Sequence, residues 1–555
     1  MTLALSGTPR AASASGSLLL RAAAGAVVLL VLLPLLALGW TALKGSGDLW
    51  PHLLANVIPH ALLETTLLVA GVGAVVGVIG TGTAWLVAVC RFPGRGVFEW
   101  ALLLPLAIPT YIQAFVYVDA VHPLGPIPTL IRTSFGLRPR DLWLPEVRSL
   151  PGCIILLGLV LYPYVYLSAR AAFLVQTASV LDAARTLGGG GRGRRSSASP
   201  CRLPARPSRW GVTLALMETV NDIGASEFLG VQTLTLSIYS TWLNRSSLPG
   251  AAQIALCMLV IMFALVLLER WGRRKLKTGN IGDRARPPAR RALSPGAAGL
   301  AFLACLLPVL LGFVLPAGHL ALTAWKRVSF HGVSETILVE TVNTALFAAL
   351  GTGLALLLGF AVVVALRTGA LRSSLALRLA GLGYAVPGTV LAVGLLVPLA
   401  GFDNLVSHLS QQVTGVSTGL LLSGSGAALI IAYVIRFLAI PVGGLEAGYG
   451  KIGSTLDMAA RSLGERPGGV VRLIHLPMLR PALGAAALLV FVDCMKELPA
   501  TLMLRPLNFE TLASHVYAEA ARGTYEDGAL AALLIVLVGL VPVILLARLS
   551  RPRQG

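Results

Sequence analysis

The apolar residues of this chain come in blocks of about 20, the length that crosses a ~30 Å hydrocarbon core. They fall near 18–43, 61–90, 97–119, 150–173, 211–231, 250–269, 297–324, 340–366, 375–400, 424–446, 481–504 and 528–547, which predicts about twelve transmembrane helices. A membrane barrel would instead show ~10-residue alternating segments. Of the 555 residues, 56% are hydrophobic and only 12% charged, against roughly 25% charged in soluble domains. A soluble enzyme, a disordered chain and a fibrous protein are excluded, leaving an all-α polytopic membrane protein. The first block follows Arg10 and Arg21, is long for a signal peptide and lacks a clear small-residue cleavage site, so it is expected to remain as the first span.

Charge orients these spans. The chain carries 44 basic and 24 acidic residues, a net charge of +20. In a soluble protein that excess would point to nucleic acid, but here its placement follows the positive-inside rule. Alternate loops hold Arg91 and Arg95, then Arg170 and Arg185, then the cluster from Arg192 to Arg209. The same side carries Arg270 to Arg291, Arg367 to Arg378, Lys451 to Arg480 and the tail Arg548 to Arg553. Residues 402–423 have Asp403 and no Lys or Arg, and 505–527 are balanced. Both termini are therefore expected in the cytoplasm of a bacterial inner membrane, with lipid rather than nucleic acid as surroundings. The six cysteines, Cys90, Cys153, Cys201, Cys257, Cys305 and Cys494, are far apart and form no C-x-x-C pair, so buried lone thiols are expected.

The basic, proline-bearing stretch 271–296 has linker composition, and the sequence on either side is repeated. Glu64-Thr65-Thr66-Leu67 matches Asn343-Thr344-Ala345-Leu346 at a shift of 279, and Ile108-Pro109 matches Val386-Pro387 at 278. Ala183 to Gly188 matches Ala459 to Gly464 at 276, Asp222 to Ala225 matches Glu497 to Ala500 at 275, and Thr233 to Tyr239 matches Thr511 to Tyr517 at 278. The chain reads as a six-span half over 1–270, a cytoplasmic linker over 271–296 and a second six-span half over 297–555. Parallel halves of this kind occur among transporters.

The most specific motif precedes the fifth span of the second half. It runs Asp457-Met458-Ala459-Ala460-Arg461-Ser462-Leu463-Gly464, then nine residues, then Ile474-His475-Leu476-Pro477. It resembles the E-A-A-x-x-x-G-x9-I-x-L-P loop of permease subunits of ATP-binding-cassette importers. The resemblance implies a short coupling helix seated in a groove of a cytoplasmic ATPase dimer, with substrate delivered by a periplasmic binding protein. Small alanines permit close docking, glycine ends the helix, and proline is tolerated in the first turn of the next. Met458 replaces the motif's glutamate, with Asp457 one residue earlier. The first half opens the motif with Asp182-Ala183-Ala184 and Gly188, then departs into a Gly-, Arg-, Ser- and Pro-rich run to Trp210. That run is either a flexible basic loop or a reading-frame slip in the gene. A GC-rich back-translation of Ser196–Trp210 read two bases later puts Leu-Pro about thirteen residues after Gly188, as Pro477 follows Gly464 (477 − 464 = 13).

Leu214 to Ala225, and Val490 to Leu502 followed by Arg505 to Ala513, look like the fifth spans of fused ferric-iron importer permeases. That resemblance implies ferric iron as cargo, with thiamine or another small solute as the alternative on the same machinery. Glu218, Asp222, Asp493 and Glu497 fall in these two segments. A lipid-facing carboxylate costs about 2.5 kcal/mol or more, so they are expected to face the bundle interior. There they either line a path for a hard cation or pair structurally, for example with Lys496. At a spacing of four, Glu218 and Asp222 share a helix face, as do Asp493 and Glu497.

The chain has no G-x-x-x-x-G-K-[ST] phosphate loop, so no ATP site, cofactor or catalytic residue is expected within it. Its eight histidines show no metal-ligand spacing. A twelve-helix ion-coupled secondary transporter is the rival from another class, disfavoured by the coupling motif. A membrane scaffold without transport is disfavoured by the intramembrane carboxylates.

Overall fold

The computed structural model describes residues 14–138, 141–142, 145–186, 209–274, 291–369 and 375–549. Among them the architecture is helical, apart from a two-residue parallel pairing of Cys90–Arg91 with Arg291–Ala292. Eleven helical stretches are long and apolar enough to cross a membrane. The protein is an all-α polytopic membrane protein. Leu36, Leu63, Val78, Leu267 and Leu357 stand exposed along these stretches, as a lipid-facing surface requires.

Proline explains where several spans begin. The expected block 97–119 divides into Arg95–Ala101, a single turn Leu104–Ala107 and Thr110–Val121. The expected block 375–400 divides into Leu375–Ala385 and a helix Gly388–Thr414. Pro109 and Pro387 occupy equivalent positions just before the longer helix of each pair, with nearly identical backbone angles (φ −57°, ψ 148° and φ −57°, ψ 145°). Proline donates no N–H and biases the preceding residue towards extended backbone, so helix ends there and restarts. The block expected at 211–231 is no continuous span either: helix Arg209–Asn221 stops and a short helix Gly224–Phe228 comes after it.

The chain forms two compact units. One comprises Met1–Lys44 with Val342–Glu510, the other Gly45–Thr341 with Thr511–Gly555. In the first, helix Ala14–Leu43 packs on Gly388–Thr414 and Leu375–Ala385. Ala24 and Val27 enter a core with Val362, Val363, Leu377, Ala380, Leu438 and Val442. In the second, helix Ile58–Val89 lies along Leu150–Thr186. A Cβ at Gly80 would stand 2.6 Å from Val165 Cβ and 2.8 Å from the Tyr162 carbonyl oxygen. Such small residues let membrane helices approach closely. Pro295–Val309 adds Ala301, Cys305 and Val309 to that unit's core, beside Phe98, Leu102 and Val543.

Each unit therefore contains the opening helix of one sequence copy and the middle helices of the other. Division by contact differs from the division at 271–296, and residues 275–290 of that linker lie outside the described residues. Cys90, Cys153, Cys305 and Cys494 are buried thiols outside any disulfide and Cys257 is partly buried. Cys201 lies outside the described residues.

Candidate functional site

Two features draw on the residues singled out by sequence, and the first is the short helix Ser454–Ser462. Helix Ala439–Tyr449 ends before it, and Gly453 at its N-terminal boundary is extended. At its end Gly464 takes φ +88°, while the Gly464 and Glu465 N–H groups donate to the Arg461 and Ala460 carbonyls at 3.1 and 3.0 Å. That pairing is a Schellman stop, for which glycine is the natural residue. Pro477 was expected to open the next span, but it lies inside a continuous helix from Pro467 to Met495, just after a π-turn over Val471–His475.

One face of this helix is anchored. Asp457 Oδ2 accepts from Arg367 Nε at 3.0 Å, and Asp457 Oδ1 lies 2.9 Å from His475 Nε2. The other His475 nitrogen lies 3.1 Å from the Tyr449 hydroxyl, and Arg367 also donates to the Ile452 carbonyl at 3.0 Å. Asp457, one residue before the Met458 that replaces the motif's glutamate, therefore turns inward. Ala460 is buried beneath it. Leu456, Met458 and Leu463 are exposed, and Ala459 is exposed between them. The helix thus presents a small apolar surface held by a charged clamp to the ends of three longer helices. Arg367, Tyr449 and His475 were not singled out by sequence, because their roles depend on contacts across 18 to 90 residues.

In the first copy, Asp182, Ala183 and Ala184 lie near the end of the unbroken helix Leu150–Thr186. Gly188 and the run to 208 lie outside the described residues. The second copy is interrupted at Gly450-Lys451-Ile452-Gly453, whereas Leu174 to Thr177 at the corresponding shift stay within the helix.

The second feature is a pair of helix breaks. Helix Arg209–Asn221 ends before Asp222, and helix Leu476–Met495 ends before Glu497. The expected shared face of Glu218 with Asp222, and of Asp493 with Glu497, is therefore lost. Each carboxylate instead caps the short helix beyond its break. Asp222 Oδ2 accepts from the Ser226 N–H and hydroxyl at 3.0 and 3.3 Å, while the Thr110 hydroxyl donates to Oδ1. Glu497 accepts from the Ala500 and Thr501 N–H groups at 3.0 and 3.1 Å and from the Thr501 hydroxyl at 3.0 Å. These bonds satisfy the donors that open the helices Gly224–Phe228 and Pro499–Leu504.

Both caps reach the helix start behind the repeated proline, but differently. In the second copy a Cβ at Gly388 would stand 2.5 Å from Arg436 Nη1 and 2.7 Å from Glu497 Oε1. The missing side chain leaves room for an Arg436–Glu497 pair at 3.5 Å. In the first copy Thr110 fills that position, and 157–161, at the shifts corresponding to Arg436, read Leu-Gly-Leu-Val-Leu. Arg436 was missed by sequence, although a lone arginine inside an apolar run was its signal. Asp222 and Glu497 are buried, whereas Glu218 and Asp493 are only half-buried. Asp493 pairs with Lys496 at 2.8 Å. Among the described residues no three His, Cys, Asp or Glu side chains gather as metal ligands.

No family model matches the chain, and no solved structure does. Curated sequences do. The chain is 27% identical to the Fe(3+)-transport system permease protein FbpB 2 of Haemophilus influenzae, over 88% of this chain and 89% of that protein. It is 26% identical to the probable ABC transporter permease protein y4fN of Sinorhizobium fredii, over 96% and 95% of the two chains. A shorter match, 29% identical over 27% of this chain and 59% of the relative, is to the putative 2-aminoethylphosphonate transport system permease protein PhnV of Salmonella typhimurium.

Proposed function

We propose that this chain, similar along nearly its whole length to ABC transporter permeases, is the membrane permease of an importer carrying ferric iron into the cytoplasm. A periplasmic binding protein delivers the iron, and a separate cytoplasmic ATPase dimer drives the cycle. Both termini then lie in the cytoplasm. The observation that carries this reading is the clamped helix Ser454–Ser462. Its anchored face passes motion to the spans through Arg367 and His475, and its exposed Leu456, Met458 and Leu463 suit a groove on the ATPase. Movement there would rock packed helices as rigid bodies. In the first copy Asp182, Ala183, Ala184 and Gly188 would serve the same contact.

The choice of ferric iron is supported by the Fe(3+)-transport relative. In this reading the Asp222 and Glu497 caps, each within its own compact unit, fix the two helix breaks. The test is uptake by proteoliposomes containing the permease and its ATPase. Uptake of ⁵⁵Fe(III) that needs both ATP and a periplasmic binding protein is expected. Uptake driven by an ion gradient without ATP would overturn the importer reading. ATP-dependent uptake of thiamine or 2-aminoethylphosphonate with none of iron would overturn the cargo.

A further inference from the structure

Resting on the ferric-cargo reading, we infer that Glu227, Tyr239 and Tyr517 form a transit site for a hard trivalent cation, ligated through one carboxylate and two phenolate oxygens. Tyr239 and Tyr517 hold equivalent positions in the two sequence copies, 278 residues apart, and their hydroxyls lie 3.4 Å from each other. A residue touches its own repeat counterpart only where the two copies meet, which is where a two-copy transporter carries its cargo. The Tyr517 hydroxyl also donates to Glu227 Oε2 at 2.6 Å, and Phe228 packs on the Tyr517 ring with centroids 5.7 Å apart. Glu227 belongs to the short helix fixed by the Asp222 cap, so the helix break positions one of the three oxygens. All three residues belong to the same compact unit.

The spacing suits one small cation. Cis oxygens of an octahedral site with metal–oxygen bonds of about 2.0–2.1 Å lie roughly 2.9 Å apart, between the two separations seen here. The donors suit it as well, since hard cations favour oxygen ligands and tyrosine ligates iron elsewhere. Without the cation, the Tyr517 hydroxyl hydrogen closes the cluster by bonding to Glu227. Binding releases one proton from each ligating phenol, and the two phenolates with the Glu227 carboxylate balance the charge of Fe³⁺. Water or the delivering protein supplies the remaining ligands. Tyr239 and Glu227 are half-buried while Tyr517 is buried.

Binding and transport test this separately. Ferric nitrilotriacetate added to the purified permease is expected to give a visible phenolate-to-iron charge-transfer band. Tyr239→Phe and Tyr517→Phe should each weaken that band, and Glu227→Gln should weaken iron affinity by about 10- to 100-fold. The phenylalanine variants keep the ring packing, and co-purification with the ATPase reports their assembly. An absent band in the assembled wild-type permease overturns the site. So does ⁵⁵Fe uptake that is unchanged in the Tyr239→Phe, Tyr517→Phe double variant. A wild-type permease that shows the band yet imports only another solute would instead overturn the cargo reading and leave the site standing.

Discussion

Asp457 stands 2.9 Å from the ring of His475, and that contact ties a nine-residue helix to the first turns of the span Pro467–Met495. Replacing Asp457 with alanine removes two contacts to basic side chains, each a class of bond that contributes about 1.5–3 kcal/mol. The helix should remain formed but lose its fixed angle. If 1.4 kcal/mol of this appears in docking, binding weakens about tenfold. Uptake per ATP hydrolysed should fall while the spans stay assembled. Unchanged coupling in the variant would show that the clamp transmits nothing.

Gly464→Ala tests the stop of the same helix. Its φ of +88° costs a residue with a Cβ about 1–2 kcal/mol, so thermal unfolding of the purified protein should begin earlier. Gly468 is a fair comparison, because a Cβ there meets nothing within 4 Å and its φ is not positive. Gly468→Ala should leave the transition in place or raise it slightly. Equal effects at the two positions would contradict a conformational origin.

The two helix breaks should respond unequally to loss of their carboxylates. Asp222→Ala leaves Ser226 and Thr110 donors unsatisfied, at about 1–3 kcal/mol. Glu497→Ala also removes the carboxylate paired with the buried Arg436, and breaking a buried ion pair costs about 3–5 kcal/mol. Folded yield in membranes should therefore drop further for Glu497→Ala. Adding Arg436→Met should recover part of the loss, and a double-mutant cycle measures how much. Additive effects would show that the pair at 3.5 Å is not coupled.

A pH effect is expected around His515. The ring lies 3.1 Å from Glu340, Glu519 shares its helix, and Asp527 begins the next helix, where it pairs with Arg327. Arg522 pairs with Glu519, and His331 lies across the same cavity. Burial alone would lower the His515 imidazole, but the hydrogen bond and charge of Glu340, with Glu519 and Asp527, raise it above its ordinary 6.5. The folded protein thus holds this proton to higher pH than the unfolded chain does. The stabilisation is complete below about pH 6.5 and fades as pH rises through the raised value. Hydrogen exchange in helix Leu512–Arg522 should quicken over that range, corrected for the intrinsic rate, and His515→Asn should abolish the dependence. Exchange in the native protein that ignores pH would remove His515 from that role.

Sequence made the membrane class and the all-helical fold legible, because block length and composition respond directly to the bilayer. It also singled out Asp222 and Glu497, but placed them on continuous helices and so missed both breaks. A spacing of four implies a shared face only while helix continues, and here each carboxylate takes over the donors of the next helix. The clamp partners of Asp457 and the Arg436–Glu497 pair depend on distant segments, so no local pattern reveals them. Likewise, the repeat marks which segments correspond, but cannot say which will pack together. Ala14–Leu43 is one copy's first span by sequence and part of the other copy's core by contact.

That exchange of opening helices sets the timetable of biosynthesis. Helix Ala14–Leu43 leaves the ribosome early, yet its packing partners begin only at Val342. At roughly 5–20 residues per second, it waits about 15–60 s in the bilayer before a lasting neighbour exists. The other unit closes last, since it needs residues from Thr511 onward. Neither half of the gene, expressed by itself, encodes a complete folding unit, and a truncation near the C-terminus leaves the earliest-made middle helices without their final strap.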